Sequence, residues 1–501
     1  MTALGSGQAG TVRLGQPSGR WVIAATVLGS GMVMLDGTAV NVALPTIGRQ
    51  LSASLGGLQW IVSGYTLALA GLILLGGSLG DRMGRRRVFL TGVTWFALAS
   101  ALCGAAPDIA VLVAARVLQG IGGALLVPGS LAIIQATFRP QDRPRAIGSW
   151  SGLGGIAAAI GPLLGGWLVV TAGWRWVFLI NLPVAALVLA VGLRHVPESR
   201  DDQATGKFDA AGAALAALAL AGVTFALIGG PGSGQSGTAG LIVAGAAGIA
   251  AAGAFLALER HRGRPGARGG PAPMLPLEVF ASRQFSVINM ITFCVYGAFG
   301  GMLFLLVLQL QVSASFSALA AGTALLPVTV LMLLLSPRSA ALAQRIGPRW
   351  LMTGGIGLCT CGVLLMLRIG VGASYLADVL PAVLVFGLGL SLVVAPLTAT
   401  VLASALVRHA GVASGVNNAV ARAAGLLAVA GLPAAVGLRA ADYHSPALLS
   451  AGFRESMLIC AGLLIVAACL AAIAVDNDVL RSSAQPPEQQ SVTARGARGR
   501  R

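Results

Sequence analysis

Charge is what this chain has least of: only 10% of its 501 residues are charged, and Lys207 is its single lysine. A soluble domain usually carries about 25% charged residues, so a water-soluble globule of this length is excluded. The lone lysine also excludes a phosphate-binding P-loop, because Gly206-Lys207 is followed by Phe208 and not by Ser or Thr. Histidine is nearly as scarce. His195, His261, His409 and His444 fall in polar connections, which leaves no Ser/His/Asp set. The chain is therefore read as no enzyme. Six cysteines (Cys103, Cys294, Cys359, Cys361, Cys460, Cys469) all lie in apolar runs. Cys359 and Cys361, two apart, point to different sides of a helix, so packing is expected rather than a disulfide or a metal site. No cofactor is expected, with an ion gradient as the energy source.

What the chain does have is long hydrophobic runs. Hydrophobic residues make up 56%, in repeated stretches of about the 20 residues that cross a bilayer as a helix. Fourteen spans are predicted, the first over roughly 21–44, in an all-α polytopic membrane protein. Seventy glycines fit closely packed membrane helices. The formal net charge of +17 raises the question of nucleic acid, and its distribution answers it. Five of the 33 basic residues (Arg49, Arg175, Arg368, Arg439, Arg454) fall on one side of the predicted spans, and Arg116 and Arg422 fall inside them. The other 26 collect on the opposite side, which the positive-inside rule makes cytoplasmic. The basicity is thus topology, to which anionic lipid can add attraction, with both termini cytoplasmic in the inner membrane. Arg13 and Arg20 precede a first span too long for a signal-peptide core, so that span is expected to stay as an anchor.

The expected organisation is a cytoplasmic tail at 1–20, a six-helix half at 21–193, and a linker at 194–284 carrying two extra spans. A second six-helix half at 285–475 and a disordered basic tail at 476–501 follow. The extra spans are nearly all Ala, Gly, Leu and Val, joined by a Gly-rich connector near 230–237, and are expected to pack at the periphery.

A dense cationic loop joins the second and third spans: Gly77-Ser-Leu-Gly-Asp81-Arg82-Met-Gly84-Arg85-Arg86-Arg87. A fainter copy, Leu342-Ala-Gln-Arg345-Ile-Gly347-Pro-Arg349, lies 263 residues later, with Gln344 in place of Asp81. Paired loops of this kind point to an internally duplicated transporter. Asp81, Arg82, Gly84, Arg85 and Arg86 are assigned to conformational gating, since a loop is poorly placed to carry protons across.

An ionisable group inside a span costs a few kcal/mol and by default marks function. Asp36 is the acid predicted to lie well inside one, which makes it the candidate proton carrier. Arg116 enters the fourth span at a matching depth, about 10 Å against about 12 Å from the same surface. A protonatable acid beside a fixed cation can act as a proton switch; a static ion pair holding two helices is the other reading. Arg422 lies near mid-span, one turn from Asn418. Asn41, Asn181, Asn289, Tyr296, Gln309, Gln311, Asn417, Asn418 and Arg422 are candidate cavity groups, each able to serve structure instead.

These residues also carry a resemblance. The loop from Gly77 to Arg86 resembles the loop 2–3 signature of the major facilitator superfamily. Leu35-Asp36-x-Thr38-x-Val40-Asn41-Val-Ala-Leu-Pro45 is similar to the first-helix motif of its fourteen-span drug:proton antiporters. Arg116-x-x-Gln119-Gly120-x-Gly122-x-Ala124-x-x-x-Pro128 resembles the helix 4 motif, whose arginine the family implicates in proton transfer. Gly161-Pro162-x-x-Gly165-Gly166 looks like the helix 5 antiporter motif, with Ala157 where a glycine is usual. Trp174-Arg175-Trp176 and the stretch from Gly411 to Arg422 also fit that group. The resemblance implies an antiporter that exports drugs, antibiotics or other hydrophobic small molecules, with two halves rocking about a central cavity. The partners expected are small-molecule substrate, protons and lipid bilayer, without nucleic acid, and the chain is expected to work as a monomer. An exporter of one self-made metabolite or lipid, an uncoupled facilitator, and a non-transporting membrane sensor are the alternatives.

Overall fold

The computed structural model describes residues 12–200, 209–229, 237–264, 273–275, 277–404, 410–439 and 442–482. Lys207, the connector over 230–236, His409 and the outer parts of both tails lie outside the described residues. Among the described residues, fourteen helices are long and apolar enough to cross a membrane. In chain order they are α1 (Pro17–Gln50), α2 (Leu55–Met83), α3 (Arg85–Ala105), α4 (Ile109–Thr137), α5 (Arg145–Thr171), α6 (Arg175–His195), α7 (Ala210–Ile228), α8 (Ala239–Arg262), α9 (Arg283–Ser313), α10 (Ala318–Ile346), α11 (Pro348–Arg368), α12 (Tyr375–Ala403), α13 (Ala413–Ala435) and α14 (Pro446–Ala474). An even number of alternating helices puts both ends of the bundle on one side, here the near end. His195 closes α6, where its ring stacks on Trp21 at 5.0 Å.

Side chains start several helices. The Ser54 hydroxyl accepts from the Gly57 amide at 3.3 Å before α2, and the Asp108 carboxylate accepts from the Val111 amide at 2.9 Å before α4. Each supplies an acceptor for an amide that a helix start leaves open.

Helix pairing repeats. In the first half α1 packs on α5 and α6, α4 packs on α2 and α3, and α3 meets α6. In the second half α9 packs on α13 and α14, α12 packs on α10 and α11, and α11 meets α14. The two cationic loops share a backbone as well. Gly84 (φ 107°) and Gly347 (φ 90°) each cap one helix and begin the next in the left-handed region that favours glycine.

Parts of both tails find partners, against the disorder expected from 476 on. Val12 pairs with the end of α4: its amide donates to the Thr137 carbonyl at 3.2 Å, and its carbonyl accepts from the Arg139 amide at 3.3 Å. Past α14, Asn477 donates to the Ile346 carbonyl at 2.9 Å and a short helix covers Val479–Ser482. Both segments find backbone partners at the near end, which composition alone does not reveal.

The inserted α7 is not peripheral. It packs on α2 and α13 and so lies across both halves, whereas α8 packs on α7 and is otherwise exposed. Asp209, just before α7, ion-pairs with Arg262 at the end of α8 and accepts from the Gly212 amide at 2.6 Å. Burial raises the Asp209 carboxyl, but Arg262 and the Gly212 amide outweigh it and hold it below its ordinary value.

Hydrogen bonds tie the halves together at the far end. Gln59 of α2 donates to the Val429 carbonyl of α13 at 2.7 Å, and Gln311 of α9 donates to the Val42 carbonyl of α1 at 2.9 Å. Gly166 of α5 lies against the Ala318 carbonyl of α10, where a Cβ would come within 2.7 Å. At the near end, by contrast, a Cβ on Gly148, Gly152, Gly154 or Gly155 of α5 would meet nothing within 4 Å. The halves are closed together at the far end, and α5 stands clear at the near end.

Candidate functional site

Asp36 is fully buried inside the first half, and α2, α3, α4 and α6 all supply groups around it. Its Oδ2 accepts from Arg116 Nη1 of α4 at 2.5 Å. Its Oδ1 accepts from Gln119 Nε2 at 2.9 Å and from Asn181 Nδ2 of α6 at 3.1 Å. The Ser100 hydroxyl of α3 accepts from the same two amides, at 2.6 Å and 3.1 Å. Three donors thus converge on one buried carboxyl group, which satisfies polar atoms that hydrocarbon would otherwise penalise.

Arg116 is 1% exposed and its donors are spread over three acceptors. Nε reaches the Ile61 carbonyl of α2 at 3.2 Å, and Nη1 is shared between Asp36 and the Gln119 side-chain oxygen. The guanidinium lies 4.1 Å from the centre of the Tyr65 ring and 5.7 Å from that of Phe178. Tyr65 in turn donates to the Val33 carbonyl of α1 at 3.3 Å. Gly120 lies directly against the Tyr65 carbonyl, so a side chain there would push α4 off α2 and open the cluster.

The helices reach this geometry by a route that the depth estimate did not foresee. α1 runs to Gln50, so Asp36 lies about 21 Å of helix from that end, not about 12 Å. The pair forms although the depths measured from the two helix ends differ, about 21 Å against about 10 Å.

The other candidates divide. Asn181, a candidate cavity group, is buried on the acid instead. Asn289 and Thr292 of α9 both take Asn417 of α13, at 3.2 Å and 2.8 Å, which ties two helices together. Gln309 bonds to the Ile369 carbonyl and to Ser450, and Gln311 bridges the halves. Asn41 donates to its own helix at Gly37, and its Oδ1 is buried without a hydrogen-bond partner. Asn418 is exposed; Arg422 and Tyr296 are half-buried. Ser100 and Tyr65 were missed from the sequence, where a lone serine or tyrosine in an apolar helix carries no signal of its own; Phe178 stands in the stretch Trp174-Arg175-Trp176-x-Phe178 that carries the resemblance.

The cationic stretch expected as a loop is helical instead: Gly77, Asp81 and Arg82 belong to the end of α2, Arg85 and Arg86 to the start of α3, and Gly84 alone joins them, so that Asp81 pairs with Arg85 at 2.7 Å one turn on. The amides of Arg86 and Arg87 donate to the Glu198 carboxylate at 3.0 Å and 3.1 Å, so an acid from beyond α6 caps α3. A Cβ on Gly77 would lie 3.6 Å from Pro128 of α4, in ordinary van der Waals contact. In the second half Asn477 occupies the place of Glu198: a Cβ on Gly84 would strike Glu198, and one on Gly347 would strike Asn477. In α5, Gly161 lies against Thr38 and Gly165 against the Ala39 carbonyl of α1, and Gly322 of α10 lies against the Pro162 carbonyl. Ala157 faces Gly31 of α1, whose Cβ would come within 3.2 Å, so the small residue at this crossing is on α1.

Residues 26–429 match the model of the Major Facilitator Superfamily. The chain belongs to this superfamily of transporters. Multidrug resistance protein Stp of Mycobacterium tuberculosis is 35% identical over 79% of this chain and 72% of its own length. Tetracenomycin C resistance and export protein of Streptomyces glaucescens is 35% identical over 87% of this chain and 80% of its own. Puromycin resistance protein pur8 of Streptomyces alboniger is 34% identical over 91% of each. The fold is also that of solved transporters. A bacterial homologue of the human lysosomal transporter Spinster, inward-facing and unoccupied, superposes with a TM-score of 0.62 at 18% identity, covering 94% of this chain and 99% of that one. A peptide transporter POT in complex with sulfate gives 0.64 at 16% identity, covering 92% and 96%. The chain is thus a multi-pass membrane transporter and not an enzyme.

Proposed function

We propose that this chain is a proton-coupled exporter of drugs, antibiotics or similar hydrophobic small molecules, working by alternating access across the cytoplasmic membrane. The observation that carries the coupling is the Asp36 cluster, a buried carboxylate held by Arg116, Gln119 and Asn181. Protonation of Asp36 removes the charge that holds Arg116 and frees helix α4 relative to α1. Deprotonation restores the pair. A full cycle exchanges a proton for a substrate when each state of this pair favours a different opening of the two halves. The near end is cytoplasmic in this reading, because the basic residues collect there. The resistance and export functions named for the relatives supply the substrate class.

Relatives named for tetracenomycin and puromycin favour a narrower variant of the same reading, in which one compound is the main substrate. Uphill efflux of a dye and antibiotic panel from expressing cells, with and without a protonophore, tests both. Collapse of export with the protonophore supports coupling. Efflux that survives the protonophore overturns it.

A further inference from the structure

Arg422 is a cation in the middle of the membrane, and no acid among the described residues neutralises it. It lies about 14 Å into α13 from the near end. Among the described residues its guanidinium makes no ion pair and no hydrogen bond, and its Nε is buried without a partner. The other mid-membrane arginine, Arg116, is engaged on every side by Asp36, Gln119 and Ile61. An uncompensated charge at this depth costs several kcal/mol, and a chain retains it where a function uses it.

Its position is at the seam of the two halves. Gly415, Arg422 and Val429 are seven residues apart and so share one face of α13. Gly415 lies against Leu74 of α2, and the Val429 carbonyl takes Gln59 of α2, so this face is turned to the first half. Asn418, one turn nearer the open end, is exposed. An unpaired cation at the seam of the halves, with an exposed amide one turn nearer the open end, matches a small anion carried on an apolar body.

We propose that Arg422 is the counter-ion for substrate, and that it takes a carboxylate or phenolate on an otherwise hydrophobic molecule. The proposal rests on the exporter reading and narrows its substrate class.

Binding measured without transport tests this. The full chain in nanodiscs is titrated with pyrenebutyric acid and with its methyl ester, a matched pair that differs in the anion, and fluorescence anisotropy is read. The acid is expected to bind at least about tenfold tighter than the ester, as a charge-assisted hydrogen bond supplies. Arg422→Gln is expected to remove that preference while leaving ester binding unchanged, which also shows that the variant is folded. Arg422→Lys is expected to retain part of it. Equal binding of acid and ester by the wild type, no binding of the acid, or full acid binding by Arg422→Gln overturns the proposal. A chain that binds the acid through Arg422 but does not pump it contradicts the exporter reading and leaves this inference standing.

Discussion

Asp36 and Arg116 meet at 2.5 Å inside the first six helices, and neither side chain is more than 1% exposed. Removing one member leaves the other as an uncompensated buried charge, so Arg116→Ala is expected to cost about 3–5 kcal/mol. Arg116→Lys is not expected to rescue it. An ammonium has no planar fork to reach the Ile61 carbonyl while stacking on Tyr65. The apparent Tm of the purified variants in one detergent checks both, and a lysine variant with wild-type Tm contradicts the account.

Ser100 accepts from two amides that also serve the acid. Ser100→Ala is expected to leave those donors short of an acceptor and to destabilise by about 1–3 kcal/mol. Asn181→Leu loses a donor to the carboxylate itself and is expected to impair uphill export more than Ser100→Ala does. Thermal unfolding and efflux, measured side by side, separate the two.

Gly166 brings α5 against α10 at the closed far end, with room for no side chain beside the Ala318 carbonyl. Gly166→Val is expected to hold the far end apart and stop transport with the protein still folded. Spin-label distances across that end, from α5 to α10, should lengthen in the variant. Unchanged distances would contradict the contact as the closing surface.

Glu198 caps α3 through two amides, while Asn477 makes one bond to the matching loop of the second half. Glu198→Ala is expected to cost about 1 kcal/mol and to slow efflux. Asn477→Ala is expected to do less, since it removes a single neutral bond. Equal effects in the two halves would show that the acid has no special part in the first loop.

Fold class and span number were legible because a run of twenty apolar residues has few other destinations, and the duplicated loop carried the two-half plan. The Asp36–Arg116 contact was legible for the same reason: two opposite charges in hydrocarbon need each other. What was not legible is rotation about helix axes. That rotation turned Asn181 onto the acid and Gln311 across the halves, though both read as candidate cavity groups. It also recruited Ser100 and Tyr65, whose residue types say nothing by themselves. The placement of α7 against α2 and α13 depends on glycine and alanine contacts such as Gly71 on Ala217, which composition cannot distinguish from lipid-facing surface.

The most direct test of the central claim is proton movement in proteoliposomes holding the wild type or Asp36→Asn, with a pH-sensitive dye inside and a substrate from the efflux panel added. The account predicts substrate-driven proton counterflow by the wild type and none by Asp36→Asn, with downhill substrate movement remaining in the variant. Uphill transport by Asp36→Asn with normal proton counterflow would contradict it.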